Sequence, residues 1–371
     1  MEVCAGQREP GDGGVETGDF RLETGVDYNI RNQIIRMSKP CIAFVTGGYS
    51  GEAVISYKSA ITIENNLDLT KYTVYRIDIT PEAWFHPGPS GEKFPVDRND
   101  FSLNINGQKI SFDAVLIGIH GTPGEDGKLQ GYFDIVGIPY TSCDAATSAL
   151  TFNKRYTVAV AAFGGINVAR SLHLFRHAPV PVKEILSILT LPVFVKPNNG
   201  GSSIGMSKVN ASEELAPALD KAFKEDDQVL VEEFISGREF TIGVFKSKGQ
   251  IITLPFTEIM TEKEFFDYEA KYGGKSTEVT PAECDESVAE QVRSTARKVY
   301  EIFNCRGIVR MDFIYNELLA KPYLLEINTV PGQSEASIVP QQVRAHGWNL
   351  KDFYSALIDE ALTSGKTQKQ P

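Results

Sequence analysis

The residues best placed to do chemistry sit in two apolar runs, RMDFIY at 310–315 and YLLEINTVPG at 323–332. Side chains alternate faces along an extended chain, so Arg310 and Asp312 share one face, and so do Glu326 and Asn328. A short polar connection between the runs suggests a hairpin. Pairing would bring Asp312, Glu326 and Asn328 together in an otherwise apolar sheet. Buried carboxylates are costly unless paired or coordinated. Two carboxylates with an amide oxygen are what hard Mg²⁺ accepts, with nucleotide phosphates completing the shell. Arg310 beside them offers a fixed positive fork to a developing oxyanion. A purely structural ion-pair network would use the same residues.

Two further segments carry chemistry. In VFVKPNNGGSSIGMSKV (193–209) a strand delivers Lys196, and a small, glycine-rich loop follows. Glycines let backbone N–H groups approach a phosphate closely, and Ser202 and Ser203 add hydroxyl donors. No Gly-Lys-Ser/Thr precedes a helix, so this is not a Walker A loop; an ordinary hairpin loop is the competing reading. In QVLVEEFISGREFTIGVF (228–245) the adjacent Glu232 and Glu233 interrupt a strand, and Glu239 follows a glycine turn. Alternation sends the two neighbours to opposite faces, so one of them faces a polar cleft unless the strand is a solvent-facing edge.

Parallel α/β pattern precedes these segments. Cys41–Gly48 reads as a buried strand ended by glycines, 50–67 as a helix, and 73–79 and 113–119 as strands. Residues 83–100, with Trp84 and His86, read as a long loop. Asp144 caps a helix that carries Lys154. Beyond it, strands near 191–196, 204–209, 229–234, 240–245 and 251–256 suggest a more antiparallel region, with helices near 212–224, 285–303 and 350–363. Residues 1–36 are rich in glycine and acid, and read as a mobile extension that buries too little to offset its ordering entropy.

Composition narrows the class. The chain has 371 residues, 42% hydrophobic and 23% charged, as expected of a globular protein of two or three domains. Its formal charge of −11 argues against general binding to nucleic acid or an anionic membrane. No apolar stretch reaches the roughly 20 residues needed to span a bilayer, and no secretory signal is visible. Five cysteines without a CxxC pair fit reduced thiols in the cytoplasm. His173 and His177, at helical spacing, lack a third zinc ligand nearby.

In their order, the Lys–glycine loop, the paired-glutamate strand and the D…ExN strands resemble the ATP-grasp superfamily. GGYSGEAVIS (47–56), HGTPGEDGKLQG (120–131), FDYEAKY (266–272) and EINTVPG with Ser337 narrow the resemblance to the D-alanine–D-alanine ligases, over about 38–360. The resemblance implies a mixed α/β and α+β fold in three domains. These are a pre-ATP-grasp parallel α/β domain at 37–143, a central subdomain at 144–236 and a C-terminal subdomain at 237–371, with ATP between two mixed sheets. It implies ATP-dependent joining of two D-alanines through a D-alanyl phosphate, for peptidoglycan precursors. ATP and Mg²⁺ (two ions, with Mn²⁺ as an alternative) and a homodimer come with it.

Roles carry over by resemblance. Lys154 and Lys196 would grip the ATP phosphates, with Ser202 and Ser203 closing over them, and Lys271 would reach the γ-phosphoryl group. Glu232, Glu233, Phe234 and Ile235 would border the adenine, and Glu239 would take the ribose hydroxyls. Asp312, Glu326 and Asn328 would hold the metal. Glu52 would pair with the first D-alanine's ammonium, with His120 near its carboxylate; Ser202 and Tyr272 would complete a hydrogen-bonded set with Glu52. Arg310 and the Gly332 N–H would form the oxyanion hole, and Ser337 with Ile338 would take the second D-alanine. Tyr272, where D-lactate-using ligases usually carry Phe, favours D-alanine as second substrate. D-serine, D-lactate or another carboxylate–amine pairing are the alternatives. The chain departs from the common pattern at Gln333-Ser334, where many members have Met-Thr, and at Glu233, where many have Lys.

Overall fold

In the computed structural model, which describes residues 39–201, 204–261 and 276–368, three sheets divide the chain in sequence order. The first has seven strands. Cys41–Gly47 lies at its parallel centre, between Thr73–Ile79 and Ala114–Ile117. Its six residues from Ile42 to Gly47 are all buried, as an apolar run flanked by helices on a parallel sheet should be.

The sheet then departs from expectation. Residues 83–100 are not a long loop: Trp84–Pro87 and Lys93–Asp97, continued by Ser102–Ile105 and Gln108–Ile110, form an antiparallel meander that extends the sheet from Thr73–Ile79. These strands are three to five residues long, too short to show a period between their Gly- and Pro-rich turns. Trp84 anchors the meander, edge-on to Phe101 and Tyr132, with its indole N–H donating to Tyr49 Oη at 2.7 Å.

Asp144 caps the helix Ala145–Phe152, its side chain accepting from the Thr147 N–H at 2.8 Å. That helix does not carry Lys154. Asn153 takes an extended conformation, ends the helix and caps a second one, Lys154–Phe163, through the Tyr156 N–H. The break puts Lys154 at a helix N-terminus facing the glycine loop.

The second sheet orders Ser207–Val209, Val193–Pro197, Gln228–Glu233 and Ser171–Phe175, all antiparallel. His173 therefore lies on a strand and not on a helix; its Nε2 contacts Gln228 Oε1 at 3.0 Å. Helices Val182–Ile188 and Ser212–Glu225 cover this sheet's apolar face.

The third sheet orders Ser276–Val279, Thr257–Thr261, Arg238–Ser247, Val309–Asn316 and Lys321–Asn328, with Gln250–Thr253 paired to Arg238–Ser247. Helix Glu286–Ile302 packs its apolar stripe, including Val292, Ala296 and Val299, against Ile242, Val309 and Met311. The opposite face of the same strands carries Arg310 and Asp312. Helices Ile338–Ala345 and Leu350–Gln368 close a further core with Ile42 and Phe44 of the first sheet, which fixes the first and third sheets to one another. Among the described residues no helix is long and apolar enough to cross a membrane.

Candidate active site

The hairpin inferred from the alternation is present. Arg310 pairs with Asn328 and Asp312 with Glu326 across antiparallel strands, and a register irregularity follows at Asp312/Phe313. Arg310 forks onto Asp312, with Nε donating to Oδ1 at 3.0 Å and Nη2 to Oδ2 at 2.8 Å, and Nη2 also reaches Glu326 Oε1 at 3.3 Å. Thr241 Oγ1 donates to Asp312 Oδ1 at 2.6 Å from the next strand. Burial alone would discharge the guanidinium, but Asp312, Glu326 and Glu125 outweigh it and hold Arg310 more firmly charged than usual. Burial pushes the Asp312 carboxyl up; Arg310 opposes that and Glu326 adds to it.

Asn328 Oδ1 is buried and has no hydrogen-bond partner among the described residues. An orphaned acceptor beside two carboxylates fits a hard divalent cation. No three His, Cys, Asp or Glu side chains converge as metal ligands among the described residues. A cation at this set therefore needs the amide oxygen and phosphate oxygens to complete its shell.

These residues form one wall of a cleft of about 320 Å³, within the usual range for a small-molecule site. Glu239, Thr241 and Glu278 extend that wall, Lys154 with Gly200 and Gly201 forms a second side, and Glu52, His120 and Glu125 of the first sheet's turns form a third. Gly332, Ser334, Ser337 and Ile338 complete it. Lys154 Nζ donates to Gly200 O at 2.6 Å, so the helix break at Asn153 and the glycine loop are tied together. Gly332 lies against Ser337: a β-carbon there would fall 2.9 Å from Ser337 Oγ. Ser337 begins the helix Ile338–Ala345, whose unpaired N–H groups favour an anion.

Lys196, Glu232, Glu233, Phe234 and Ile235 are not among the residues lining this cleft. Glu232 is buried and ion-paired with Lys196 on one face of the second sheet. Glu233 turns the other way, and its Oε1 accepts from the Thr190 N–H at 2.8 Å. Alternation thus separates the two carboxylates as the sequence implied. Ser202, Ser203, Lys271 and Tyr272 lie outside the described residues, as does the 1–36 extension.

Glu52 stands at the N-cap of helix Ala53–Asn65, but its carboxylate makes no cap bond. Instead it is wedged between two glycines. A β-carbon on Gly121 would lie 2.4 Å from Glu52 Oε2, and one on Gly201 2.9 Å from Oε1.

Sequence reasoning missed two participants, Glu125 and Ser59. Glu125 was within reach of it, inside the HGTPGEDG motif. Its Oε2 accepts from the Gly121 N–H at 2.6 Å and its Oε1 from the Val330 N–H at 3.3 Å. Gln333, one of the departures from the family pattern, is buried and points away from the cleft. Its Oε1 accepts from Tyr354 Oη at 3.1 Å and its Nε2 donates to Pro331 O. Ser334, the other departure, keeps a hydroxyl in the cleft, 2.7 Å from Ser337 Oγ.

Two buried groups here titrate abnormally. Burial, aided by the charge of Arg310, drives His120 down to about 4, against a weaker opposing bond from Val330. Burial and then the neighbouring Glu52 push Glu125 up to about 8, against its two backbone bonds and Arg310. Neutral His120 stabilises the fold fully above its unfolded value near 6.5, and that contribution is lost as pH falls toward 4. Protonated Glu125 stabilises fully below 4.5, and that contribution is lost as pH rises through about 8. The two slopes oppose one another between 4.5 and 6.5, and only that of Glu125 remains from 6.5 to 8. The unfolding free energy at constant ionic strength should therefore decline between pH 6.5 and 8, by at most about 1.4 kcal/mol per pH unit. Glu125→Gln should flatten that decline; an unchanged slope in the variant would assign it to other groups.

The chain is similar to known proteins over most of its length. The profile described as D-ala D-ala ligase N-terminus matches residues 41–143, and the one described as D-ala D-ala ligase C-terminus matches 155–359. A D-alanine–D-alanine ligase of Flavobacterium johnsoniae is 45% identical over 321 residues, covering 86% of this chain and 99% of that protein. The crystal structure of VanG D-Ala:D-Ser ligase from Enterococcus faecalis superposes with a TM-score of 0.79 at 31% identity, covering 87% of this chain and all of that one. The D-alanine–D-alanine ligase of Bacillus anthracis complexed with ATP gives 0.71 at 26% identity, covering 89% and 99%. With both halves matched and a relative this similar over nearly its whole length, the chain belongs to the D-alanine–D-alanine ligase family.

Proposed function

We propose that the protein joins two D-alanines with ATP, through a D-alanyl phosphate, and that the dipeptide serves peptidoglycan precursor synthesis. The carrying observation is the convergence of Arg310, Asp312, Glu326 and Asn328 with Lys154 and Glu52 on one cleft, in a chain of this family. The first D-alanine's carboxylate attacks the γ-phosphorus, ADP leaves, and an acyl phosphate remains. The second D-alanine's amine, having lost a proton, attacks the acyl carbon; the tetrahedral adduct collapses and phosphate leaves.

Family membership supports a task for each residue. Glu52 pairs with the first ammonium and fixes the carboxylate toward the phosphates. Lys154, Lys196 and Lys271 offset the charge of the triphosphate, and Ser202 and Ser203 offer it hydroxyl donors. Glu232, Glu233, Phe234 and Ile235 border the base, and Glu239 takes the ribose. Arg310 and the Gly332 N–H meet the oxyanion of the adduct. Ser337 and the helix N-terminus behind it take the second carboxylate, Ile338 flanks it, and Tyr272 with Ser202 and Glu52 orders the loops that exclude water. Asp312, Glu326 and Asn328 would hold Mg²⁺, two ions in our reading with Mn²⁺ as a substitute, and this cation neutralises phosphate charge when bound. The domain bounds 37–143, 144–236 and 237–371, a homodimer and a cytoplasmic location belong to the same reading.

The test is phosphate release from Mg·ATP with product masses, comparing D-alanine alone, L-alanine alone, and D-alanine with D-serine or D-lactate. Release with D-alanine alone and a dipeptide mass is the expected result. Mixed product dominating in the D-serine arm would favour the D-Ala:D-Ser activity for which the VanG ligase is named, and silence with every D-amino acid would overturn the reading.

A further inference from the structure

We propose that the 120–125 turn clamps the Val330 peptide, with His120 donating from Nδ1 to its carbonyl and Glu125 accepting from its N–H, and that this clamp positions Gly332. The last step rests on the ligase reading; the clamp itself does not.

The geometry closes on itself. His120 Nδ1 lies 2.7 Å from Val330 O, and a carbonyl only accepts, so Nδ1 carries the proton. His120 Nε2 lies 2.9 Å from Ser59 Oγ, which already accepts from the Gln333 N–H at 3.0 Å. Burial keeps the imidazole neutral, so with the proton on Nδ1 its Nε2 accepts the Ser59 hydroxyl hydrogen. A run of bonds thus goes from the Gln333 N–H through Ser59 and the ring to Val330 O, spanning the 330–333 turn from end to end. Glu125 holds the same turn from the other side, at the Val330 N–H, while its second oxygen is fixed by the Gly121 N–H. His120 itself is fixed by its own N–H donating to Ser56 Oγ at 3.0 Å. Pro331 O takes the Gln333 side chain. Gly332 takes no part in these bonds and lines the cleft.

Every contact in the clamp is buried, and its two sides come from segments more than 200 residues away from Val330 in sequence. The charges that act on His120 and Glu125 are those of Arg310 and Glu52, both in the cleft. With both ring nitrogens engaged, His120 acts on the turn that carries Gly332 and is a positioning residue. Glu125 is one as well.

The tautomer can be read in the full-length protein without substrate. Histidine labelled with ¹⁵N gives five pairs of ring signals, and the His120 pair should show Nδ1–H and an unprotonated Nε2 at pH 7. An Nε2–H tautomer or an imidazolium would overturn the clamp. Val330 and Gln333 amides should exchange slowly, and Val330 should lose protection in Glu125→Ala; an unchanged Val330 amide would remove Glu125 from it. For turnover, the Asn amide nitrogen overlies Nδ1, whereas the Gln amide overlies Nε2. His120→Gln should lose roughly tenfold in kcat with the KM for Mg·ATP unchanged, and His120→Asn should recover most of that loss. Equal losses in the two variants would refute the assigned donor. A wild-type protein with the predicted tautomer but no ligase turnover would sink the ligase reading and leave the clamp standing.

Discussion

Arg310→Met will lose at least about 10²–10³-fold in turnover while keeping its affinity for Mg·ADP. The transition-state part of this follows from position. Arg310 is the fixed positive group beside Asp312 and Glu326 in the cleft wall, on the same sheet face and across from Asn328. A guanidinium held by two carboxylates does not need to reorganise when an oxyanion forms, which is what makes such donors effective. The substitution also strips the compensating charge from Asp312, whose side chain is only 9% exposed. Breaking a buried pair on one side costs about 3–5 kcal/mol, so the variant's melting temperature has to be checked before its rate is interpreted. A divalent cation bound at Asp312 restores positive charge there, so Mg·ADP should recover part of the lost stability in Arg310→Met. Calorimetry with and without Mg·ADP, beside steady-state rates, separates the two effects. Parallel loss of nucleotide affinity and turnover would make Arg310 a structural residue.

The sequence carried the parts of this site that depend on periodicity. Arg310/Asp312 and Glu326/Asn328 sit two apart on apolar strands, and the hairpin that pairs them is as drawn from that spacing. The opposite orientations of Glu232 and Glu233 follow from the same rule. Two other features depend on where the chain stops being regular. The Asn153 break looks, by composition, like one continuous helix, because Asn is tolerated inside a helix as well as at its cap. The 84–110 meander hides because each strand is shorter than the window in which alternation can be counted. The clamp was illegible for a different reason. Its acceptors and donors are mostly backbone atoms of Val330, Gly121 and Gln333, and nothing in a side-chain pattern marks which distant peptide a buried Glu or His will bind.

That dependence on backbone approach makes glycine the sharpest probe of the first-substrate side. Gly121→Ala is expected to lower kcat/KM for D-alanine by roughly 10- to 150-fold, the equivalent of one charge-assisted bond of about 1.5–3 kcal/mol. At Gly121 φ is +66°, a left-handed conformation that an L side chain rarely adopts, and the added methyl would sit 2.4 Å from Glu52 Oε2 and 2.6 Å from Ser50 Oγ. The methyl cannot be accommodated with the Glu52 carboxylate in place, so the carboxylate must leave its position. Gly201→Ala presses on the other oxygen from the opposite side at 2.9 Å, without a left-handed φ, and should give a smaller loss of the same kind. The KM for Mg·ATP should move little in either variant if Glu52 serves the ammonium and not the nucleotide. A double-mutant cycle decides the cause. In a Glu52→Gln background, where the charge is already gone, Gly121→Ala should add little further loss. Fully additive losses would mean that the glycine acts by distorting the turn that carries His120 and Glu125, and that Glu52 is not the group it protects.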